Sequence, residues 1–372
     1  MKKIRFAVVG SGWRSLYYVR IAKALPEQFE LCTLLCRTQE KADRIHADWQ
    51  IPTTCIESDV YALNPDFIVS AVNRDSMYDV ALHWMELGFP VLSETPPSMK
   101  PEDLSHLWEL RKQQTGAISP ITGRPADYRM QVAEQYFCYP THEARTKIIQ
   151  SGLLGDPVSM TISYMHDYHA ASLIRRMLGT GFADVSVIGS KYTLPVTDTR
   201  TRYEVLTEGK VVTKDQAHLV LEYANGKVAF YDFLSDQYRS PIRTRYLNVR
   251  GTRGELINDT VHYLNEQNLP ETDSLRITQD PLTGEILAIA FRGQTLYTPP
   301  FGPCGLPEDE TAISRILLAM AQYLENGSEY YPLAEALEDA EIAIHMTTAA
   351  DHPWQMQHSN ASRPWRTPVK MP

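Results

Sequence analysis

The sequence predicts an α/β fold in two parts: a doubly wound parallel sheet, then an α+β domain with a mainly antiparallel open sheet. Three observations predict it. Over residues 1–120, short apolar runs alternate with helix-period segments at the spacing of strand–helix–strand units. From 121 to 350 the pattern changes to longer two-period runs, one pair joined by Asn225-Gly226, a strong hairpin signal. The chain has 372 residues, enough for about two domains of roughly 100–200 residues each. Residues 351–372, polar and rich in Trp and Pro, form a tail expected to wrap the surface.

In the first part, Ile4 to Val9 is a nearly continuous apolar run, as expected of a strand buried on both faces. Trp13, Leu16, Tyr17, Ile21, Ala24 and Leu25 then recur at three- and four-residue steps, a helical face that Pro26 stops. Phe29 to Leu35 is the second strand and Gln39 to Trp49 a helix. Asp66 to Val72 is a strand, Met77 to Leu87 a helix ended by Gly88, and Val91 to Glu94 a strand.

In the second part, Arg129 to Phe137 reads as a strand and Thr141 to Gln150 as a helix capped by Thr141. Val158 to Tyr164 alternates, and Ala170 to Leu178 is a short helix before Gly179. His218 to Tyr223 and Lys227 to Phe233 flank the hairpin turn; Tyr246 to Val249 and Ile286 to Phe291 add strands. Two helices close the domain, about Glu308 to Leu324 and Leu333 to Ala349, the second with Leu333, Leu337, Ala340 and Ile344 on one face.

Composition excludes several classes of function. Lys and Arg number 36 against 45 Asp and Glu, a formal net charge of −9, so nothing draws the chain generally toward nucleic acid or an anionic membrane. There is no signal-peptide core and no run of about 18 apolar residues, and a cytoplasmic location is expected. The five cysteines are odd in number and form no CxxC pair; reduced thiols and no metal site are expected.

The most informative motif is Val8-Val9-Gly10-Ser11-Gly12-Trp13-Arg14-Ser15, which follows a strand and opens a helix. It is G-x-G-x-x-G with Ser15 in the third glycine's place. Gly10 permits the tight turn, Gly12 lets the backbone approach a pyrophosphate, and a small third residue packs helix on strand. Ser11, Trp13 and Arg14 complete the loop. The context is that of a Rossmann dinucleotide site, with the pyrophosphate on the helix N-terminus. The second strand ends in Cys36-Arg37-Thr38 with no acid for a ribose 2′-hydroxyl. Arg37 and Thr38 suit a 2′-phosphate, which favours NADP over NAD; the bland alternative is that Arg37 stacks on adenine.

Further motifs run through the chain: Asp66-Phe67-Ile68-Val69 with Asn73, Gly88-Phe89-Pro90-Val91-Leu92-Ser93-Glu94-Thr95-Pro96, Glu134-Gln135-Tyr136, Ser151-Gly152-Leu153-Leu154-Gly155, Gly251-Thr252-Arg253-Gly254-Glu255, and Leu333-Ala334-Glu335-Ala336. In order and spacing they resemble the glucose–fructose oxidoreductase / inositol dehydrogenase (Gfo/Idh/MocA) family. The resemblance implies a Rossmann domain, an α/β partner domain with an open sheet, homo-oligomers (dimers or tetramers) joined through that sheet, and oxidation or reduction of sugars and polyols in carbohydrate metabolism. It places Asn73 and Glu94 among the cofactor contacts.

Two departures stand out. The family's E-K-P reads Glu94-Thr95-Pro96, and Thr95 can hydrogen-bond but cannot act as cation or base near neutral pH. The family's D-x-x-x-H places its histidine at His169 but its aspartate at Met165. The segment Tyr164-Met165-His166-Asp167-Tyr168-His169 nevertheless concentrates acid/base groups. His169 is the candidate general acid/base, with Asp167 or His166 to orient it and Tyr168 or Tyr136 to donate to a sugar oxygen. Each of these residues has a structural alternative, Asp167 as a helix cap and the tyrosines as packing. His166 and His169 form an H-x-x-H pair without a third metal ligand. Arg239, Arg243 and Arg245 follow Asp236-Gln237-Tyr238; on a strand Arg243 and Arg245 share a face, and Arg243 is the candidate for a substrate carboxylate or phosphate, against exposed arginines or an interface.

The reading that follows is an NAD(P)-dependent oxidoreductase acting on a hydroxyl or carbonyl of a sugar-like substrate. Two others stay open: a glycosidase or lyase that oxidises its substrate transiently with bound cofactor, and a cofactor-binding protein whose catalysis has decayed, which Thr95 supports.

Overall fold

The computed structural model describes residues 2–359 and 362–366. Its N-terminal sheet contains β1 (Ile4–Val9), β2 (Phe29–Leu35), β3 (Thr53–Thr54), β4 (Phe67–Ser70) and β5 (Val91–Ser93). The helices between them are α1 (Ser15–Ala24), α2 (Gln39–Trp49), α3 (Glu57–Ala62) and α4 (Met77–Glu86), and α5 (Pro101–Gln113) follows. Phe6, Ala7 and Val8 are fully buried, as a central parallel strand covered on both faces must be. A hairpin of β6 (Thr115–Ile118) and β7 (Pro125–Asp127) leads to β8 (Met130–Val132).

The order is β3-β2-β1-β4-β5-β8, all parallel. β1 pairs with β2 on one side and β4 on the other, so the order reverses there and a crevice opens beyond Val9. The strand expected over Arg129 to Phe137 is only β8, and it is the sixth strand of the parallel sheet, past the boundary expected at 120. The chain then bends into a 3-10 turn, Tyr136–Cys138. Pro140 fixes the start of α6 (Pro140–Gln150), since proline suits a first helical turn. Thr141 is therefore inside the helix and is not its cap; its backbone N–H donates to Glu308 at 2.9 Å.

Among the described residues, the second sheet has nine strands in the order β16-β15-β14-β13-β9-β12-β11-β10-β20. They are β9 (Pro157–Ser163), β10 (Val185–Thr197), β11 (Val211–Tyr223), β12 (Val228–Leu234), β13 (Tyr246–Gly251), β14 (Gly254–Ile257), β15 (Thr260–Leu264), β16 (Pro270–Ser274) and, in the tail, β20 (Gln357–His358). Three more strands, β17 (Arg276–Gln279), β18 (Ile286–Phe291) and β19 (Gln294–Tyr297), form a separate small sheet. Among the described residues, only β9 and β12 pair in parallel in the large sheet. The Asn225-Gly226 turn joins β11 to β12 as expected, with Gly226 at φ +83. α7 (Asp167–Leu178) and α9 (Leu333–Asp351) cover one sheet face, and α8 (Glu308–Asn326) packs on α1. Val158 and Phe230 stay exposed on the strands of the open sheet.

α9 differs from the single apolar face expected of it. Leu333, Leu337 and Ala340 are buried, but so are Glu338, Asp339 and Glu341 on its other sides, because α5, α7 and the sheet surround it. Buried carboxylates need partners, and the tail supplies them: Arg363 and Trp365 both donate to Glu338, and Trp365 is buried. The tail thus packs inward at residues 362–366; residues 360, 361 and 367–372 lie outside the described residues.

Candidate active site

At the crevice, the glycine turn is built for close approach. Gly10 has φ +115, and a Cβ there would lie 2.3 Å from the Ala71 carbonyl oxygen, so only glycine fits. A Cβ on Gly12 would meet no protein atom within 4 Å, which leaves open space above the N-terminus of α1. Ser15, in the third glycine's place, is fully buried and its hydroxyl donates to the Gly10 carbonyl at 2.8 Å, tying helix to turn. Ser11 hydrogen-bonds Cys36 at the end of β2. Open backbone at a helix N-terminus and a topological switch point fits a dinucleotide pyrophosphate.

Other expected cofactor residues have local partners. Arg37 stands exposed just past β2, and the Thr38 hydroxyl accepts from Lys41 N at 3.3 Å to cap α2. Asn73 Oδ1 accepts from Ser76 N at 2.9 Å, capping the 3-10 turn Arg74–Ser76. Arg14 Nε donates to Glu94 Oε1 at 2.7 Å, and Tyr18 donates to the same oxygen at 2.6 Å. Arg14 Nη1 also lies 3.6 Å from Asp309, at the start of α8. Arg14 and Glu94 therefore clamp the glycine turn to the Glu94-Thr95 edge and to α8. Burial works against the Arg14 charge, but the two carboxylates outweigh it and raise its pKa.

A cavity of about 450 Å³ opens beside this clamp. Thr95, half-buried, faces it together with Trp13 and Arg14. Its floor is a column of rings: Tyr139 stacks on Tyr136 at 4.8 Å between centroids, Tyr136 lies 4.3 Å from His169, and His169 lies 4.5 Å from His166. His169 Nδ1 meets Glu134 Oε2, and both side chains are closed off from solvent. Burial raises the Glu134 carboxyl to about 8, against the Tyr136 backbone N–H that it accepts. Burial and the neighbouring His166 and Arg14 charges push His169 well below its ordinary value. A neutral imidazole with Nδ1 engaged keeps Nε2 as its free nitrogen. Tyr136 is pushed well above its ordinary value by burial, so it is a hydrogen-bond donor and not a base.

A second carboxylate–histidine pair lies alongside. His166 Nδ1 contacts Asp167 Oδ1 at 2.7 Å, and Arg74 of the first domain donates to the same oxygen at 3.1 Å. Burial opposes ionisation of Asp167, but His166 and Arg74 override it and hold the carboxyl well below the usual carboxylate range. Asp167 also accepts from Tyr168 N at the first turn of α7.

Of the residues singled out from sequence, the fold brings Trp13, Arg14, Glu94, Thr95, Tyr136, His166 and His169 around one cavity, with Asp167 behind His166. Of the catalytic and substrate candidates, two do not belong there. Tyr168 is fully buried on the other side of α7, 3.1 Å from the Tyr331 hydroxyl, because adjacent helical residues point in different directions. Arg243 is exposed on an irregular loop, and β13 starts only at Tyr246, so it shares no strand face with Arg245. Arg245 and Arg239 face the cavity instead.

Sequence reasoning missed Glu134, Tyr139, Tyr238 and Arg202. Glu134 stood in the quoted Glu134-Gln135-Tyr136 motif, but its pairing with His169, 35 residues on, is set by where β8 ends against α7. Tyr238 accepts from His166 N at 3.0 Å and hydrogen-bonds Tyr136, which knits the floor to the loop before β13.

Residues 4–121 match the Gfo/Idh/MocA model, described as an oxidoreductase family with an NAD-binding Rossmann fold. The N-terminal domain belongs to the Gfo/Idh/MocA oxidoreductase family. Beyond that domain, the two-domain fold as a whole is shared with solved structures. An oxidoreductase domain protein from Kribbella flavida superposes with TM-score 0.66 at 14% identity, over 96% of this chain and 99% of that one. A myo-inositol dehydrogenase from Corynebacterium glutamicum gives 0.62 at 15%, over 97% and 100%. An oxidoreductase from Agrobacterium radiobacter, in complex with NAD+, L-tartaric acid and magnesium, gives 0.62 at 13%, over 94% and 97%. No curated protein matches in sequence. Among the described residues, no helix is long and apolar enough to cross a membrane.

Proposed function

We propose that the cavity is the site of an NAD(P)-dependent oxidoreductase that interconverts a hydroxyl and a carbonyl on a sugar- or polyol-like substrate. The observation that carries this reading is the Glu134–His169 pair, buried at the floor of a cleft whose opposite edge is a dinucleotide-type glycine turn. The nicotinamide, when bound, accepts or gives the hydride. Gly10, Ser11 and Gly12 with the N-terminus of α1 hold its pyrophosphate, and Arg14 and Glu94 brace that turn. His169 Nε2 takes the hydroxyl proton in oxidation and returns it in reduction, while Glu134 holds Nδ1 and fixes the ring. Tyr136 donates a hydrogen bond to the substrate. Exposed Arg37 after β2 supports a preference for NADP over NAD, and the open sheet supports a homo-oligomer.

The test starts with separate NADH and NADPH titrations, followed by a sugar and polyol panel with the preferred cofactor. His169→Ala is expected to bind cofactor normally and lose turnover. Near-normal turnover in that variant removes His169 from its role. Failure of a folded, cofactor-free sample to bind either nucleotide sinks the whole reading.

A second reading has its own observation. The Asp167–His166 pair beside Glu134–His169 supplies two acid/base groups, and Thr95 replaces the family's lysine. Such a site suits a glycosidase or lyase that oxidises its substrate transiently, eliminates a neighbouring group and returns the hydride. Release of an aglycone with no net change in nicotinamide absorbance would select it over a dehydrogenase.

A further inference from the structure

The wall of the cavity contributed by the second domain carries three arginines: Arg202, between β10 and β11, and Arg239 and Arg245, in the segment before β13. The guanidinium carbons of Arg239 and Arg245 lie 5.9 and 5.6 Å from the centroid of one ring, Tyr238. That of Arg202 lies 3.3 Å from the Trp13 ring centroid, so it reaches across to the glycine turn. The cavity's carboxylates, Glu94 and Asp309, are engaged by Arg14, and Asp167, behind His166, is engaged by Arg74. Among the described residues, Arg202, Arg239 and Arg245 have no carboxylate partner. Arg245 is oriented by backbone carbonyls, donating to Tyr238 O at 3.1 Å. Burial and the repelling charge of Arg239 both push Arg202 below its ordinary value. Three half-buried cations, two of them in mutual repulsion and all lining one cavity, are an arrangement that an anion relieves.

From this we infer that the substrate is an acid: a sugar acid or hydroxy acid whose carboxylate is held by Arg239 and Arg245, with Arg202 closing over it from the Trp13 side. Tyr238 links this subsite to the reacting end, because its hydroxyl meets Tyr136 and Tyr136 packs on His169. Guanidiniums offer a carboxylate paired N–H donors, so the acid end sets the register that brings one hydroxyl to His169. The inference rests on the hydride-transfer reading of the same cavity, and its test is chosen to separate the two.

The substrates are matched pairs: hexuronates against hexoses, aldonates against hexitols, and hexose 6-phosphates as the phosphate arm, each with the preferred nicotinamide cofactor. The acid of each pair is expected to have a kcat/KM at least about tenfold above its neutral partner. Arg239→Gln and Arg202→Gln are expected to raise KM for the acid about tenfold or more, with NAD(P)H affinity unchanged; each tenfold is about 1.4 kcal/mol. Arg245→Lys, which keeps the charge, should retain more of that preference than Arg245→Gln. Neutral sugars turned over as well as acids, or a preference for the phosphates, overturns the carboxylate subsite and leaves hydride transfer standing. Weakened cofactor binding with an unchanged substrate KM also overturns it, by assigning the arginines to the cofactor's phosphates. Calorimetry separates the other failure: a hexuronate that binds in an Arg239-dependent way, with no turnover of any panel member, keeps the acid subsite and removes the hydride-transfer reading.

Discussion

Glu134 and His169 meet at the floor of the cleft, Oε2 against Nδ1, from two elements that are remote in sequence. Burial favours the neutral form of both, raising Glu134 to about 8 and lowering His169. Below about pH 8 the carboxyl keeps its proton. As pH rises through that value the pair loses one proton, the single N–H of the neutral ring moves from Nε2 to Nδ1 to face the carboxylate, and Nε2 becomes a free base. Oxidation of a hydroxyl is therefore expected to rise through about pH 8, and reduction of a carbonyl to fall through it. Glu134→Gln has no proton to lose at that position. Its kcat should drop by about 10²–10⁴ and its pH profile should lose the step near 8. A step that persists in the variant belongs to another group.

Asp167 ties the two domains together through Arg74 while it orients His166. Asp167→Asn keeps the shape but removes the charge that both partners attract. We expect KM to rise several-fold, because closure of the cleft weakens, and kcat to fall far less than in His169→Ala. Steady-state kinetics of the two variants side by side provide the check. A kcat loss as deep as that of His169→Ala would put the His166 pair into the chemistry and favour the transient-oxidation reading.

The fold was more legible in the sequence than the site was. β1, the glycine turn and α1 could be read because a strand buried on both faces and a helix with one buried face leave different periods. The hairpin at Asn225-Gly226 could be read because that turn type demands those residues. β8 was overextended because Tyr136–Cys138 is as apolar as a strand, and only Pro140 marks the bend. That His169 faces the cavity was legible from its resemblance to a family position, although it stands inside α7 and not before it, because the helix starts at Asp167 and not at Ala170. Glu134 was not, since its partner lies across a domain boundary. Arg239 and Arg243 look alike in sequence; the loop before β13 turns one into the cavity and the other into solvent.

The tail offers a stability test independent of catalysis. Glu338 is fully buried on α9 and accepts from Arg363, Trp365 and Arg366. Glu338→Ala leaves the buried Arg363 with an unmatched charge, apart from Glu341 at 3.4 Å. Removing one partner of a buried ion pair costs about 3–5 kcal/mol. Urea unfolding should show a loss of that order. A loss below about 1 kcal/mol would mean that residues 362–366 do not dock on α9 in solution.

Gly10 and Gly12 separate what the glycine turn does for the fold from what it does for a ligand. Gly10→Ala places a methyl group 2.3 Å from the Ala71 carbonyl oxygen, in a backbone conformation at φ +115 that alanine resists. The turn between β1 and α1 must shift, and both thermal stability and cofactor affinity should fall. Gly12→Ala meets no protein atom within 4 Å, so the apoprotein should melt within about a degree of the parent chain. The same methyl group occupies the space through which a pyrophosphate approaches the backbone, and NAD(P)H affinity should drop about tenfold or more. Melting curves with and without cofactor read both effects, because a ligand that binds the native state raises the melting temperature. If Gly12→Ala melts normally and still gains the full cofactor-induced shift, the pyrophosphate does not lie over Gly12.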